Sequence, residues 1–177
     1  MKGQWTLEQL PQPAPGRVTA GEVVGEVITI VLMIGGLFVL WGLRTTDAAG
    51  AQILLLDQSI TNLWLPVFVV VLASLAVLQV IVYLSGRWTM PLAIVHAGLE
   101  VAFALPIVVL ALNGTLINPA YAAEVGYPPL AEGDAPVMLA IAVGVTAVTA
   151  WEIITVVRRA MRAHKDGPVL DASQRSA

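Results

Sequence analysis

The sequence predicts an all-α membrane protein in which four transmembrane helices form an up-down bundle with both termini in the cytoplasm. Hydrophobic residues make up 58% of the 177 residues and charged residues only 12%, and the mean hydropathy is +0.83. Four apolar runs each approach the ~20 residues that a helix needs to cross a bilayer. The four runs lie near residues 22–43, 63–84, 91–112 and 136–157.

These runs divide the chain into three parts. Residues 1–18 are predicted to be a Pro-rich cytoplasmic lead-in, and residues 19–163 a four-helix transmembrane domain. Residues 164–177 are polar and charged, and we expect them to form a flexible cytoplasmic tail.

Local signals mark the ends of most helices. Thr19 can cap the first helix, and Glu22 three positions later completes a capping box. The second helix ends at "YLSG", and Pro91 suits the first turn of the third. Pro106 falls inside the third helix and predicts a kink there. Pro136 opens the fourth helix, which runs into "VVRRAMRAHK".

Two connections on the outer side carry less regular patterns. The segment "AQILLLDQSI" at 51–60 has mixed periodicity, and we predict a short helix lying on the outer face. The longest connection, "LNGTLINPAYAAEVGYPPLAEGDAP" at 112–136, combines tyrosines, prolines and acidic residues. This composition predicts an interfacial, partly ordered loop.

The distribution of basic residues orients the bundle. In a four-helix topology every Lys and Arg except Arg44 falls on one side, and the second outer loop has three acidic residues but no basic ones. The positive-inside rule therefore places both termini in the cytoplasm. Aromatic residues near predicted helix ends agree with interfacial positions: Trp41, Trp64, Tyr83, Trp88 and Tyr121.

Several classes of function are disfavoured by composition. The absence of cysteine excludes disulfides, thiol catalysis and thiolate metal sites, and two histidines are too few for an ordinary zinc site. A net charge of −3 without a basic patch disfavours a nucleic-acid partner. No phosphate-binding loop, nucleophile elbow or HExxH motif occurs. We therefore expect neither catalysis nor a cofactor.

A layer of polar side chains crosses the predicted bundle. At ~1.5 Å of rise per residue, Glu26, Gln79, His96, Glu100 and Glu152 all fall in the inner half of the bilayer. His96 and Glu100 are separated by one helical turn and share a face. A lipid-facing carboxylate costs at least ~2.5 kcal/mol, so we expect these groups to turn inward.

Two interpretations of this layer compete. In one, its ionisable members form a proton-responsive or cation-binding site; in the other, the layer is a hydrogen-bonded seam that fixes helix register. Glu22 has a simpler role as a cap, and Glu152 can reach toward Arg159 at the interface. Small residues that would let the helices approach one another are Gly21, Gly25, Gly35, Gly36, Ala140, Gly144 and Ala147.

The end of the fourth helix carries a cytoplasmic basic face formed by Arg158, Arg159, Arg162 and Lys165. This run can bind anionic lipid or a cytoplasmic partner. The alternative is that it only anchors the topology of the last helix.

Three stretches carry a family resemblance: "WTLEQLP", "LWLPVFVVVLASLAVLQVIVY" and "RWTMPLAIVHAGLEVAFALPIVVLALNGTLINPA". Over roughly residues 4–160 the chain resembles the membrane portion of actinobacterial proteins with a HAAS-type (HTH-associated α-helical signalling) domain, often encoded beside a PadR-like winged-helix repressor. The resemblance implies signalling and supplies no catalytic residues. That family's soluble domain precedes the counterpart of "WTLEQLP", so we expect a membrane-only relative or a truncated chain.

The leading expectation is a non-enzymatic sensor or regulatory module of a bacterial cytoplasmic membrane. Its expected partners are the lipid bilayer, a cytoplasmic regulatory protein and further copies of the chain. One alternative is a small transporter or accessory permease subunit that uses the His96 and Glu100 pair. A second is a structural subunit of a membrane complex.

Overall fold

The computed structural model describes residues 18–126 and 135–174. In chain order the elements are α1 (Ala20–Gly42), β1 (Arg44–Thr46), β2 (Gln52–Leu54), α2 (Gln58–Ser85), α3 (Met90–Leu112), α4 (Pro119–Glu124) and α5 (Ala135–Gln174). Four of the helices are long and apolar enough to cross a membrane: Ala20–Gly42, Asn62–Ser85, Met90–Leu112 and Pro136–His164. The prediction of four helices that are long and apolar enough to cross a membrane is therefore confirmed.

The start of α1 follows the predicted capping box. The Thr19 hydroxyl accepts a hydrogen bond from the Glu22 amide at 3.3 Å, and the Glu22 carboxylate accepts one from the Thr19 amide at 3.0 Å. Pro91 lies in the first turn of α3, as predicted, where its missing N–H costs no helical hydrogen bond. Pro106 lies inside α3, and the kink expected there stays a prediction.

A β-hairpin replaces the short helix predicted between the first two membrane helices. Strand β1 pairs antiparallel with β2, and Thr45 lies opposite Ile53. In the turn, the Asp47 carboxylate accepts hydrogen bonds from the amides two and four residues later, at 2.9 and 2.8 Å. Gly50 has a φ of 84°, a conformation that glycine adopts without a steric penalty. The turn chemistry of Asp47 and Gly50 therefore outweighs the mixed periodicity of the segment.

The long connection between α3 and α5 contains a short helix packed against this hairpin. Asn118 caps α4 by accepting a hydrogen bond from the Ala120 amide at 3.0 Å, and its own amide donates to the Leu55 carbonyl at 2.8 Å. Part of this connection is therefore helical, and its partial order stays a prediction. Residues 127–134 lie outside the described part of the chain.

Helix α5 continues well beyond the membrane span. The sequence placed the end of the fourth apolar run at 157 and a flexible tail at 164–177, but the helix extends to Gln174. Strong helix formers in "RRAMRAHK" explain the continuation through residue 165, because the loss of hydrophobicity there ends the apolar run without ending the helix. Residues 1–17 and 175–177, which include most of the predicted lead-in, lie outside the described part.

The closely packed helix pairs are α3 with α5, α1 with α2, and α2 with α3. Buried side chains form three clusters along the bundle. One lies beside the α2–α3 turn, one is central and one lies beside the start of α5. The cluster beside the α2–α3 turn contains Val18, Val23, Val82, Trp88, Ala93, Val156 and Ala160. The central cluster contains Ile30, Leu72 and Leu75. The cluster beside the start of α5 contains Ala111, Met138 and Ala142.

The first cluster also fixes the position of the α1 start. The Val18 amide donates to the Gly86 carbonyl at 3.1 Å, which ties the start of α1 to the α2–α3 turn. Trp88, which the sequence placed among the interfacial aromatics, lies at a helix end but is buried in this cluster.

Candidate functional site

A half-open cavity of about 650 Å³ lies between the helices, lined by residues of α1, α2, α3 and α5. Helices α1 and α5 both line it, and they are not among the closely packed pairs. All members of the predicted polar layer line the cavity: Glu26, Gln79, His96, Glu100 and Glu152. The structure therefore brings together side chains from all four membrane helices, as the depth argument expected.

Gln79 and Glu26 join the two helices α1 and α2. The amide nitrogen Nε2 of Gln79 donates a hydrogen bond to Oε2 of Glu26. Gln79 is only 2% exposed, so water has little access to the amide. This bond is the kind of contact that the seam interpretation requires, because it links two helices through buried polar groups.

His96 is buried deeply and is only partly satisfied. The residue is 3% exposed, and its ring meets the ring of Trp88 edge to face at a centroid distance of 5.5 Å. Its Nε2 lies 3.9 Å from Oε1 of Glu100, too far for a hydrogen bond. Its Nδ1 has no hydrogen-bond partner within the described residues. Buried polar atoms are nearly always hydrogen-bonded, so this nitrogen is an exception among the described residues.

The carboxylates of the cavity are also incompletely paired. The Glu100 side chain is 18% exposed, and its ion pair with His96 depends on the charge state of the imidazole. The predicted contact between Glu152 and Arg159 is not formed: in the part of the chain that the structure describes, Glu152 has neither a hydrogen bond nor an ion pair. Glu152 and Arg159 instead both line the cavity, within electrostatic range of Glu26.

The glycines do not act as predicted. Gly21, Gly25 and Gly144 line the cavity, and a Cβ atom built at any of them meets nothing within 4 Å. The same open space surrounds Gly35 and Gly36, which are exposed. The expectation that glycines let these helices approach closely is therefore wrong. At the cavity, their missing side chains leave room in the bundle.

Apolar side chains form the rest of the cavity lining. They come from the same four helices and include one aromatic ring, Phe103. The other members are Ile30, Met33, Leu72, Leu75, Val145 and Val148. The cavity thus combines a hydrophobic wall with a group of carboxylates, an amide and an imidazole.

Sequence reasoning missed Glu22 and Arg159 as cavity residues. Glu22 had been assigned to the helix cap, which it forms, and Arg159 to the basic face. The available signal was spacing: Glu22 precedes Glu26 by one turn, and Arg159 follows Glu152 by two. Of the predicted basic face, Arg158 and Arg162 are exposed, Arg159 is half-buried, and the side chain of Lys165 lies outside the described part.

The cavity residues do not form a chelating cluster. Among the described residues, no group of three or more His, Asp or Glu side chains converges closely enough to hold a metal ion.

Comparisons with known proteins add no relative. No family model, no curated protein and no solved structure matches the chain significantly. The resemblance to HAAS-type membrane regions therefore stays a prediction.

Proposed function

We propose that the chain is a non-enzymatic sensor or regulatory module of a bacterial cytoplasmic membrane, and that the polar cavity is its sensing site. One observation carries the proposal. Helix α5 supplies Gly144, Glu152 and Arg159 to the cavity and continues unbroken beyond the span to Gln174. A single helix thus connects the cavity with the exposed basic face.

We further propose an up-down bundle with both termini in the cytoplasm. Val18, Trp88 and Ala160 share one cluster, so the α1 start, the α2–α3 turn and the basic part of α5 lie at the same end. Arg87, Arg158 and Arg162 belong to that end, which supports a cytoplasmic location by the positive-inside rule.

The proposed mechanism is a shift between two arrangements of the bundle. A ligand can move such an equilibrium only by binding one arrangement more tightly than the other. Because α1 and α5 both line the cavity without packing closely, their separation can respond to its occupancy. Movement of α5 would then change what its exposed basic end presents to a cytoplasmic regulatory protein. The resemblance to membrane proteins encoded beside PadR-like repressors supports a partner of that kind.

Photo-crosslinking in the bacterium that encodes the chain tests this function. Benzoylphenylalanine is placed at Arg162, on the basic end, or at Val143, which is exposed within the span. We expect a discrete soluble-protein adduct only from position 162, and a changed yield when Glu100→Gln is added. The sensor proposal is wrong if a correctly inserted Glu100→Gln chain gives an unchanged adduct, or if position 162 gives none.

A transporter or accessory permease subunit is the second candidate, and the acidic cavity inside a membrane bundle is the observation that favours it. A transporter binds its substrate at such a site and releases it on the other side. Proteoliposomes with an imposed proton gradient distinguish the two functions. Substrate-dependent proton flux that Glu100→Gln abolishes would support transport, whereas binding without flux would support sensing.

A further inference from the structure

We infer that the cavity binds a hydrophobic organic cation, such as an amine or onium compound with apolar substituents. The inference rests on the proposed function, since it names the class of ligand that the sensing site would recognise. Four features of the cavity support it: its charge, an unpartnered imidazole nitrogen, its size and its hydrophobic wall.

The charge of the lining favours a cation. Its acidic side chains outnumber its basic ones: Glu22, Glu26, Glu100 and Glu152 face a single arginine, Arg159. Carboxylates inside a bilayer bundle need a counter-charge or hydrogen-bond donors, because hydrocarbon supplies neither. Gln79 supplies one donor to Glu26, whereas Glu152 has no partner among the described residues. A bound cation would supply the missing counter-charge.

The imidazole of His96 points independently to a ligand. His96 lines the cavity and is only 3% exposed. Its Nδ1 has no hydrogen-bond partner in the described part of the chain. A neutral imidazole carries one donor and one acceptor nitrogen. Because Nδ1 itself is fully buried, a ligand N–H group or a water in the cavity would satisfy it once the ring turns this nitrogen toward the cavity. A helix seam alone gives no reason to leave this buried nitrogen unbonded.

The size and wall of the cavity decide between a metal ion and an organic cation. A volume of about 650 Å³ falls within the ~300–1,000 Å³ of sites that hold drug-sized ligands. The described residues place no three ligating side chains around one point, so they do not form a chelating site. The apolar wall suits hydrocarbon substituents, and it includes an aromatic ring, Phe103, of the kind that attracts a positive centre.

Equilibrium binding of radiolabelled tetraphenylphosphonium tests the inference. The full chain is inserted into nanodiscs of phosphatidylcholine, and binding to empty nanodiscs is subtracted because the probe partitions into lipid. We expect saturable binding that unlabelled probe displaces and that triphenylphosphine oxide, an uncharged compound of similar shape, does not. Equal competition by the neutral compound, or no saturable binding, would overturn the assignment of a cation.

Two matched pairs of variants locate the site. Glu100→Gln should weaken binding by about tenfold or more, as loss of one charge from a desolvated pair does, whereas the exposed Glu124→Gln should change nothing. Gly144→Leu should fill the cavity and abolish binding. Gly35→Leu adds the same side chain at an exposed position with equal free space and should leave binding unchanged. If the two variants of either pair change the affinity for the probe equally, the probe binds outside the cavity.

The outcomes separate this inference from the proposed function. If the probe fails to bind while the crosslink at Arg162 still responds to Glu100→Gln, the ligand class is wrong and the sensor remains. If the probe binds as expected while the crosslink does not respond, the ligand class is right and the sensor is wrong. Monodisperse elution and helical circular dichroism are required of each variant. The glycine pair decides the result should Glu100→Gln fail to fold.

Discussion

The hydrogen bond from Gln79 to Glu26 should contribute measurably to the stability of the bundle. It joins residues 53 positions apart in sequence, on α1 and α2, so its loss weakens the contact between two membrane helices. The perturbation is Gln79→Leu, which keeps a similar side-chain length and volume while removing the donor. The Glu26 carboxylate then remains in the cavity without its amide partner.

The expected magnitude follows from burial and charge. Hydrogen bonds between membrane helices contribute about 0.6 kcal/mol on average and at most about 1.7 kcal/mol in double-mutant cycles. Bonds to a charged group in soluble proteins contribute about 1.5–3 kcal/mol. Because Gln79 is 2% exposed and Glu26 is half-buried, we expect a coupling energy of about 1–1.5 kcal/mol, in the upper part of the membrane range.

A double-mutant cycle isolates this coupling from the other effects of each change. Gln79→Leu, Glu26→Gln and the double variant are unfolded in lipid–detergent bicelles, and the free energy of unfolding is measured by steric trapping. A second cycle pairs Gln79→Leu with Glu124→Gln, an exposed residue of α4, and should be additive within about 0.3–0.5 kcal/mol. A coupling in the first cycle no larger than that of the control would refute the proposed seam between α1 and α2.

Three further results follow from the structure. The chain contains no cysteine, so a single introduced cysteine reports on one position. An impermeant maleimide should label Glu124→Cys in intact cells and should label Arg162→Cys only after permeabilisation. The reverse labelling pattern would show that both termini face away from the cytoplasm. His96→Phe should leave the thermal stability unchanged or raised, because it removes an unpartnered nitrogen and keeps the aromatic contact with Trp88; a large drop in the melting temperature would show that the imidazole is structural. Gly50→Ala should lower the free energy of hairpin opening by about 1–2 kcal/mol because its φ is 84°, and faster amide exchange in the hairpin would reveal this.

Hydrophobicity was sufficient to predict the membrane helices. The apolar runs at 22–43 and 91–112 differ from α1 and α3 by no more than two residues, because both helices begin and end where the hydrophobic pattern does. α2 and α5 depart from this rule. α2 begins five residues before its apolar run at 63–84, and the helical propensity of α5 extends past its apolar part. The hairpin departs for another reason: Asp47 and Gly50 determine a turn whose chemistry is local and independent of periodicity.

The depth of the polar residues along the helices could be predicted from the sequence, but the cavity between them could not. Helical rise alone places Gln79, His96 and Glu152 at similar levels, and these residues line one cavity. Whether they meet one another or border a space depends on the separation of α1 and α5, which no local pattern encodes. Gly25 illustrates the ambiguity, because a glycine in a membrane helix can permit close packing or leave a void.

Each of the two interpretations of the polar layer explains a different part of it. A seam accounts for Gln79 and Glu26, which satisfy one another across two helices. It does not account for Glu152, which is unpaired within the described part of the chain, or for Nδ1 of His96, which is buried without a bond. An uncompensated carboxylate at membrane depth costs at least ~2.5 kcal/mol, and a seam could have replaced it with an apolar residue at no structural loss. Retaining these groups around a space large enough for a ligand is therefore better explained by binding than by packing.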